Sequence, residues 1–441
     1  MQYLYLLTAI VYIIIEIRTI RSYKTIRMIS LFRLMYAFVF GVLPALILFK
    51  VESGDANILW TIKKDDIYAN ITLLWFISLV EYILISFFYK SIPARIKNNI
   101  LQRGEYTDKK VKIAVFLALL IGILSLLLWT NAYGSVFNMM IQANLVRSRA
   151  SDVVNPWAFL EHFARIFTFT YFVSFALFLY EKKSGKGSLF TFILMLLSLL
   201  GSLIVMMCTD TRGEIGILVI VTTLYYFVFY KWANGKNSLK DLIRTGFFFI
   251  LAFVLIIKSA GIMDSIRGFE TDESSSDVIE IVEKEFNYSL RSQVTAIKEI
   301  KKDPIQFLIV DDFTNAIFSW VPSRFIPFEL PTPLWDYNTQ LQQGKGDLHG
   351  QSPTDFVAAS LYLFGVFGIF LLPLLMGWLL KKLDAYFINR RNSIFHSALC
   401  GYMFFFSIWW VGFFSLSSTM LSLFGAFLFW LILKFVNFFI K

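Results

Sequence analysis

Long apolar stretches separated by short basic segments dominate this sequence and constrain its fold more than any other feature. About eleven of them approach the roughly 20 residues that an α-helix needs to cross a bilayer. We place them near 3–17, 29–49, 67–89, 113–131, 157–180, 188–208, 215–230, 246–262, 355–380, 394–412 and 417–436. Charged residues make up only 16% of the chain, against about 25% in soluble domains. The sequence therefore predicts an all-α polytopic membrane protein.

The basic residues between these stretches indicate how the chain is oriented. They concentrate in every second loop, at 18–27, 90–112, 182–186, 231–244 and 381–391. The positive-inside rule assigns such loops to the cytoplasm, so we expect the N-terminus outside and the C-terminus inside. The net charge of +10 then reflects membrane orientation. No basic stripe alternates with aromatic residues as in nucleic-acid-binding modules, so no nucleic-acid partner is expected.

The remaining loops, at 50–66, 132–156, 209–214, 263–354 and 413–416, should face outward. The fourth has roughly 90 residues, and its acidic side chains outnumber its basic ones. The chain therefore divides into an N-terminal transmembrane bundle of about eight spans (1–262), a large periplasmic or extracellular loop (263–354) and about three C-terminal spans (355–441). The cytoplasmic loops are too short for a nucleotide-binding domain, and SGKGS at 184–188 lacks the leading glycine of a phosphate-binding loop.

Two amphipathic helices are predicted in the first part of the large loop. Asp277 and Glu280 form a capping box, and apolar residues then recur near a 3.6-residue period as far as Ile300. Asp303 and Pro304 end this helix and suit the N-cap and the first position of the next one. Both helices are too short and too charged to span. They should lie on the membrane surface or dock on the bundle.

The second part of the large loop is rich in proline. Five of the ten prolines in the chain fall here and argue against regular helix: Pro322, Pro327, Pro331, Pro333 and Pro353. We interpret the segment as an ordered functional loop, because binding and catalytic groups favour loops held on a rigid scaffold. It contains Arg324 and His349, one of only three histidines, and its aromatic and amide side chains suit a sugar.

A polar turn, TDTRGEIG at 209–216, interrupts two apolar stretches. Arg212 cannot reach far from the membrane there, and Gly213 lets the backbone approach a ligand closely. The turn precedes a helix N-terminus, where anions are favoured. Asp210 and Glu214 would orient the guanidinium or offset its charge until an anion arrives. We therefore predict that Arg212 binds an anionic group at the depth of the lipid headgroups.

Further cations gather on the predicted outer side, among them Arg147, Arg149 and Arg291. Arginine matches phosphate oxygens with two parallel hydrogen bonds, which lysine cannot do, and a lipid pyrophosphate is such an anion. Arg147 and Arg149 could equally be solvated loop charges. Arg165 lies four residues after Glu161 in the fifth stretch, a spacing at which the two side chains would neutralise one another.

Three segments resemble motifs of the Wzy-type polysaccharide polymerases, which are similar to O-antigen ligases and other lipid-dependent glycosyltransferases. TDTRGEIG resembles the family's Thr/Ser-Arg-Gly turn between two spans. VPSRFIPFELP at 321–331 is similar to the Pro/Arg segment of its large loop. SPTDFVAASLYLFGVFG at 352–368 looks like its return from that loop into the membrane, and ends in Gly365-x-x-Gly368. The layout of spans and loop covers most of the chain.

The resemblance implies glycosyl transfer between two oligosaccharides carried on undecaprenyl pyrophosphate, at the outer face of the bacterial inner membrane. The growing glycan would leave its carrier and join a new O-antigen or capsule repeat unit. Arginines would stabilise the departing pyrophosphate, and a base would take the proton of the acceptor hydroxyl. The implied catalytic residues are His349, Arg212 and Arg324, and the implied substrate-binding residues are Arg147, Arg149, Arg291, Glu214 and Asp355. Asp355 and Glu214 are substitutes for His349 as the base.

No cofactor and no metal are expected, because the donor is already activated and the adjacent Asp311 and Asp312 are interpreted as solvated. The expected partners are the lipid-linked oligosaccharides, the bilayer and, through the resemblance, a chain-length regulator protein. Two alternatives stay open, an O-antigen ligase-like transferase and a lipid-linked oligosaccharide transporter. A transporter should show paired halves, broken helices and a polar site at the membrane midplane. The sequence shows no internal repeat, which favours the polymerase.

Overall fold

The fold is helical throughout the part of the chain that the computed structural model describes. That part comprises residues 1–23, 26–52, 63–91, 106–147, 151, 153–185, 187–209, 211–227, 287–321, 325–344, 352–390 and 393–440. Helices make up 84% of the structure, and no described residue lies in a strand. Nine segments within these ranges are long and apolar enough to cross a membrane. The predicted class, an all-α polytopic membrane protein, is confirmed at this level.

Seventeen α-helices lie within the described ranges, and the first ten precede residue 228. These ten are α1 (Gln2–Tyr23), α2 (Met28–Ala37), α3 (Leu43–Glu52), α4 (Lys64–Ser91), α5 (Asp108–Asn131), α6 (Val136–Arg147), α7 (Leu160–Ala164), α8 (Ile166–Lys183), α9 (Leu189–Cys208) and α10 (Arg212–Tyr226). The others are α11 (Tyr288–Lys302), α12 (Ile309–Phe318), α13 (Leu334–Gln343), α14 (Phe356–Phe364), α15 (Gly368–Arg390), α16 (Ile394–Gly412) and α17 (Leu416–Phe439). A π-helical turn joins α2 to α3.

Nine of the eleven predicted stretches coincide with these apolar segments. The seventh, 215–230, falls on α10, whose apolar part Gly213–Tyr226 is shorter than the other nine. The eighth, 246–262, lies outside the described residues. Helix α6, on the other hand, was not predicted. Its apolar residues occur within what the sequence indicated was a loop, and it packs against α5 and α9.

One end of the bundle, called here the Asp384 end, is defined by contacts of Asp384 and of Glu181. The backbone N–H of Met28 donates to Asp384 of α15 over 2.9 Å, and the Tyr89 hydroxyl of α4 donates to the same carboxylate over 3.0 Å. Lys112 at the start of α5 pairs with Glu181 at the end of α8 over 2.6 Å. The starts of α2 and α5 and the last turns of α4, α8 and α15 therefore lie at this end.

The opposite end, called here the Glu214 end, is defined by contacts at the start of α4 and between α16 and α17. Lys298 of α11 pairs with Asp66 at the start of α4 over 2.5 Å. The N–H of Phe414, between α16 and α17, donates to the carbonyl of Thr354 over 2.7 Å. Helix α4 thus begins at the Glu214 end and reaches the Asp384 end with Tyr89, as a helix that crosses a membrane requires.

The helices between residues 287 and 344 dock on the bundle and correct two predictions. Helix α11 ends at the predicted place and packs on α4 and α14. Helix α12 begins only at Ile309, because the Asp303 carboxylate accepts the N–H of Ile305 over 3.2 Å within a turn. The predicted helix start at Asp303 and Pro304 is therefore wrong. The predicted start of the first helix, at Asp277, lies outside the described residues.

The proline-rich segment contains a helix, contrary to the prediction. Helix α13 begins directly after Pro333. A proline at the start of a helix is well tolerated, because the N–H groups of the first turn have no partner within the helix in any case. The prolines therefore delimit α13 and do not exclude it.

The chain reverses between α14 and α15. Gly365 has a φ of +59°, a left-handed conformation that favours glycine. The N–H of Val366 donates to the carbonyl of Pro304 over 3.1 Å. A Cβ on Gly368 would lie 1.7 Å from the carbonyl oxygen of Ser360, although residues eight apart in a continuous helix are about 12 Å apart. The predicted span 355–380 is therefore two helices, with the buried α14 folded back on α15.

Candidate functional site

A cavity of about 400 Å³ lies at the Glu214 end. Its lining comes from α5, α6, α7, α9, α10, α13, α16 and α17, from the connections between α7 and α8, α9 and α10, and α16 and α17, and from the two residues before Asp355. Met139, Ala143 and Val146 of α6 form an apolar side. The charged side consists of Glu161 and Arg165, joined by Glu214. A cavity of this size with an apolar wall and a few convergent polar groups has the composition of a ligand site.

Arg165 lies between two carboxylates in this cavity. Its Nε and Nη2 donate to Glu161 Oε1 over 3.1 and 3.0 Å, which confirms the predicted pairing of these two residues. Its Nη1 donates to Glu214 Oε1 over 3.5 Å, the limit of a hydrogen bond. The three side chains are only 20%, 28% and 12% exposed, in the order Arg165, Glu161, Glu214. Two acids and one base in a half-buried site leave the described group with a net negative charge.

The helix break at Arg165 positions this group. Arg165 has φ −62° and ψ −8°, which ends α7 after five residues and starts α8. The break turns Glu161 and His162 toward the cavity while α8 continues through the bundle as one of the most buried helices. The sequence showed one apolar stretch here, so the break was not predicted.

His162 was missed by the sequence analysis. It lines the cavity beside Glu161, and its Nδ1 is buried with no hydrogen-bond partner in the part of the chain described. A buried imidazole nitrogen without a partner is available to a ligand or a water molecule. The only signal in the sequence was that His162, one of three histidines, directly follows Glu161 near the start of an apolar stretch.

Aromatic and hydroxyl side chains form the other walls. Trp129, Trp335 and Trp409 reach the cavity from three separate parts of the chain. The ring of Trp409 is stacked on that of Phe413 with 4.1 Å between centroids, which fixes its orientation. Hydroxyl groups line the cavity as well, from Thr209, Thr211, Thr354, Ser415, Ser418 and Ser422. Flat rings and many hydroxyls suit a polyhydroxylated ligand such as a sugar.

The turn between α9 and α10 brings Glu214 to the cavity. The N–H of Thr211 donates to the carbonyl of Met206 over 3.0 Å, and the N–H of Glu214 donates to that of Thr211 over 3.1 Å. These bonds close the turn within the predicted polar segment. A Cβ on Gly213 would meet no described atom within 4 Å, so the backbone is open to a ligand there. Arg212 begins α10, but its side chain lies outside the described part of the structure.

Three of the predicted site residues, His349, Arg324 and Arg149, lie wholly outside the described residues. Arg147 is the last residue of α6, and the side chain of Arg147 is not described. The preceding residue, Val146, lines the cavity. Of the side chains that are described, Glu214 lines the cavity, whereas Arg291 and Asp355 are not among the lining residues. Burial on α11 lowers the pKa of the Arg291 guanidinium.

Asp355 caps α14 from inside the protein. It is fully buried, and its Oδ1 accepts the N–H of Ala358 over 2.8 Å. Its Oδ2 accepts hydrogen bonds from Ser289 and Gln293 of α11 over 2.7 and 2.9 Å. Asp355 thus joins α11 to α14 through hydrogen bonds. It lies two residues after Pro353, which lines the cavity.

Asp312 is not solvated, contrary to the interpretation of the Asp311–Asp312 pair. It is 1% exposed and accepts hydrogen bonds from Ser415 Oγ, Ser417 Oγ and the N–H of Leu416 over 2.8 to 3.0 Å. It therefore caps the start of α17 from a different helix, and burial raises its pKa. No group of three metal-ligating side chains occurs among the described residues.

Comparison with known proteins identifies no relative of this chain. No protein-family model, no curated protein and no solved structure matches the chain. The resemblance to Wzy-type polymerases stays a prediction that depends on three segments of the sequence, at 209–216, 321–331 and 352–368.

Proposed function

We propose that this protein is a lipid-pyrophosphate-dependent glycosyltransferase that polymerises oligosaccharide repeat units in the cavity at the Glu214 end. The observation that carries this proposal is an arginine held between two carboxylates, in a cavity whose other walls are tryptophans and hydroxyls. The arginine would bind a diphosphate, a carboxylate would accept the proton of an acceptor hydroxyl, and the tryptophans and hydroxyls would contact a sugar ring.

Arg165 is the proposed ligand of the diphosphate. Its two short bonds to Glu161 hold the guanidinium in place, whereas the 3.5 Å contact with Glu214 is weak. A phosphate oxygen would replace Glu214 at Nη1 with little loss, because only the weak contact is broken. Arg212 and the N–H groups at the start of α10 would complete the site. The apolar wall formed by α6 suits the first isoprene units of the carrier.

Glu214 is the proposed base. Once Arg165 turns to the diphosphate, the Glu214 carboxylate is free to accept the proton of the acceptor hydroxyl. That hydroxyl oxygen then bonds to the anomeric carbon as the bond from this carbon to the pyrophosphate breaks. The pyrophosphate leaves with its negative charge stabilised by arginine. His162 is a second proton acceptor in reach of the cavity, and Arg324 and His349 remain proposed contributors from the large loop.

The proposed topology has about eleven spans, with the Glu214 end on the outer face of the bacterial inner membrane and 263–354 as the outer loop. The basic residues support this orientation, because Lys110, Lys112, Lys182, Lys183, Lys381 and Lys382 all lie near the Asp384 end. Lipid-linked repeat units and the bilayer are the proposed partners, together with a chain-length regulator protein.

The test uses the purified protein in nanodiscs with the host bacterium's own lipid-pyrophosphate-linked repeat unit. We expect a ladder of products from the wild type and a loss of roughly 100- to 1,000-fold in Arg165→Ala, as for removal of one charge-stabilising group. Arg165→Lys should lose nearly as much, because lysine cannot bond Glu161 twice and still reach a phosphate. The matched control is Lys298→Ala, which removes a cation of the same end outside the cavity.

Full activity of Arg165→Ala at normal expression would contradict the proposal. Farnesyl pyrophosphate provides a second measurement that needs no sugar. It should quench part of the tryptophan fluorescence of the wild type, because three tryptophans line the cavity, and should do so only weakly in Arg165→Ala. A ladder that forms only when lipid A core is added would identify a ligase.

A transporter is the second candidate, and the reversal between α14 and α15 favours it. Broken helices beside buried acids are features of transporters, and Asp355 and Glu81 are fully buried next to α14. Inertness of the pure protein with both repeat unit and lipid A core, together with flipping of a fluorescent repeat unit in liposomes, would support transport over polymerisation.

A further inference from the structure

A column of buried polar side chains runs through α1, α2, α4, α14 and α15, away from the cavity. Four carboxyl groups belong to it, Glu16, Glu81, Asp355 and Asp384, and each is at most 6% exposed. None of them is among the residues that line the cavity. Placing an ionisable side chain within a membrane costs free energy. A series of such side chains between the two ends of one bundle therefore indicates a function.

The column begins at the Asp384 end. Asp384 accepts the Tyr89 hydroxyl over 3.0 Å, and the Arg33 guanidinium lies 5.9 Å from the centre of the Tyr89 ring. Arg33 pairs with Glu16 of α1 over 3.2 Å, with the two side chains 3% and 0% exposed. Arg33 also lies 5.8 Å from the centre of the Tyr82 ring. Consecutive polar groups are therefore in contact from Asp384 to Tyr82.

Tyrosines continue the column toward the middle of the bundle. The ring of Tyr12 is stacked on that of Tyr82 with 3.7 Å between centroids, and the ring of Tyr36 lies 5.9 Å from Tyr82. The Tyr36 hydroxyl donates to Glu81 over 3.3 Å, and Ser360 of α14 donates to the other oxygen of Glu81 over 2.6 Å. Glu81 thus receives hydrogen bonds from two neutral hydroxyls.

The column ends on the side of the Glu214 end. Asp355 lies five residues before Ser360 and caps the same helix α14. Ser289 and Gln293 of α11 donate to its carboxylate, and α11 also carries Lys298, which pairs with Asp66 at the Glu214 end. The carboxyl groups at the two termini of the column, Asp384 and Asp355, therefore approach opposite ends of the bundle.

Several buried polar atoms of α1, α2 and α4, three of the helices that carry the column, have no hydrogen-bond partner among the described residues. A purely structural polar contact would satisfy its own donors and acceptors, since an unsatisfied buried group is costly. Ordered water, which makes two to four hydrogen bonds in polar interiors, is the group that fits. The atoms are Tyr12 Oη, Glu16 Oε1, Ser30 Oγ, Arg33 Nε, Tyr82 Oη and Ser86 Oγ.

We propose that this column, together with water at these six atoms, conducts protons between the two faces of the membrane. In each step an O–H bond breaks at one hydroxyl, carboxyl or water and an O–H bond forms at the next, so that one proton enters at one end and one leaves at the other. The pH gradient and the membrane potential drive the transfer, and no co-reactant is consumed. The proposal goes beyond glycosyl transfer and does not depend on it.

The test uses the full chain in liposomes that contain the pH-sensitive dye pyranine, with a potassium gradient and valinomycin to set the potential. We expect the wild type to acidify the interior at least tenfold faster than protein-free liposomes. Glu81→Gln should reduce the rate to near that background, because an amide cannot exchange its proton in the same way. The matched control is Glu181→Gln, which neutralises a buried carboxylate of the Asp384 end outside the column and should conduct as the wild type does.

Tyr82→Phe is the second variant, because it keeps the stacked ring and removes only the hydroxyl that has no described partner. It should elute and melt as the wild type and conduct several-fold more slowly. The proposal is overturned if wild-type liposomes acidify no faster than protein-free ones, or if Glu81→Gln and Tyr82→Phe both conduct at the wild-type rate. Because no lipid-linked substrate is present, these outcomes are independent of the Arg165→Ala ladder experiment.

Discussion

Arg165 is held by one partner four residues away and one partner 49 residues away. The near partner, Glu161, was predictable, because side chains at i and i+4 face each other on a helix. The far partner was not, since Glu214 reaches Arg165 only through the turn between α9 and α10. The pair predicted from helical spacing was thus two members of a three-residue site.

The two adjacent acids of α12 show the same limit of sequence reasoning. Asp311 and Asp312 are chemically identical, but only the second points at the start of α17. Nothing in the local sequence distinguishes them, because the difference comes from Ser415 and Ser417, which lie about a hundred residues later.

We expect Asp312→Ala to destabilise the protein by about 2 kcal/mol, because it leaves buried donors at the start of α17 without their acceptor. The measurement is thermal unfolding of the purified protein in detergent. Asp311→Ala is the matched control and should unfold at the wild-type temperature. Equal effects of the two substitutions would mean that Asp312 does not hold α17.

At the scale of elements, the apolar composition of α14 and α15 predicted one spanning helix where the structure has two helices. Apart from Asp355 and Ser360, the sequence 355–380 is almost entirely apolar, and it was therefore predicted to be one span. The reversal depends on two glycines, of which Gly365 permits a left-handed backbone and Gly368 permits contact with the carbonyl of Ser360. The Gly365-x-x-Gly368 motif is visible in the sequence, but its effect on the direction of the chain follows only from the packing of α14.

Gly368→Ala should prevent accumulation of folded protein. Its Cβ would overlap the backbone of Ser360, and backbone atoms cannot move aside as a flexible side chain can. The measurement is the fraction of protein that elutes as a monodisperse peak after detergent extraction.

Gly187→Ala is the control for this substitution, because a Cβ there would meet no described atom within 4 Å. It should behave as the wild type. A monodisperse Gly368→Ala protein with wild-type melting would show that α14 does not fold back on α15.

At the scale of the whole molecule, the positions of the spanning helices were largely predictable and the site was not. Nine predicted stretches match because a bilayer imposes a length and a composition that local sequence must satisfy. The described lysines at the start of α5 and at the ends of α8 and α15 lie on the side where the distribution of basic residues predicts them. The cavity, by contrast, combines Trp129, Trp335 and Trp409, and their convergence is a property of the packed bundle.

The orientation of the bundle is tested by labelling single cysteines in a chain whose Cys208 and Cys400 are replaced by alanine. Lys302→Cys, at a side chain 72% exposed on the Glu214 end, should react with a membrane-impermeant maleimide on intact cells. Lys183→Cys, exposed at the Asp384 end, should react only after the cells are permeabilised. The opposite pattern would place the cavity in the cytoplasm, where lipid-linked glycans are not polymerised in the proposed reaction.

The Asp384 carboxylate accepts the backbone N–H of Met28 at the start of α2, although the two residues are 356 positions apart in the chain. During synthesis, the first helices therefore enter the membrane long before the carboxylate that they need has left the ribosome. Until then the N–H of Met28 must be solvated at the membrane surface, and α2 and α4 cannot settle into their final arrangement. Truncated chains that stop before this carboxylate should accordingly be degraded faster than the complete chain, even though they retain most of their membrane-spanning segments.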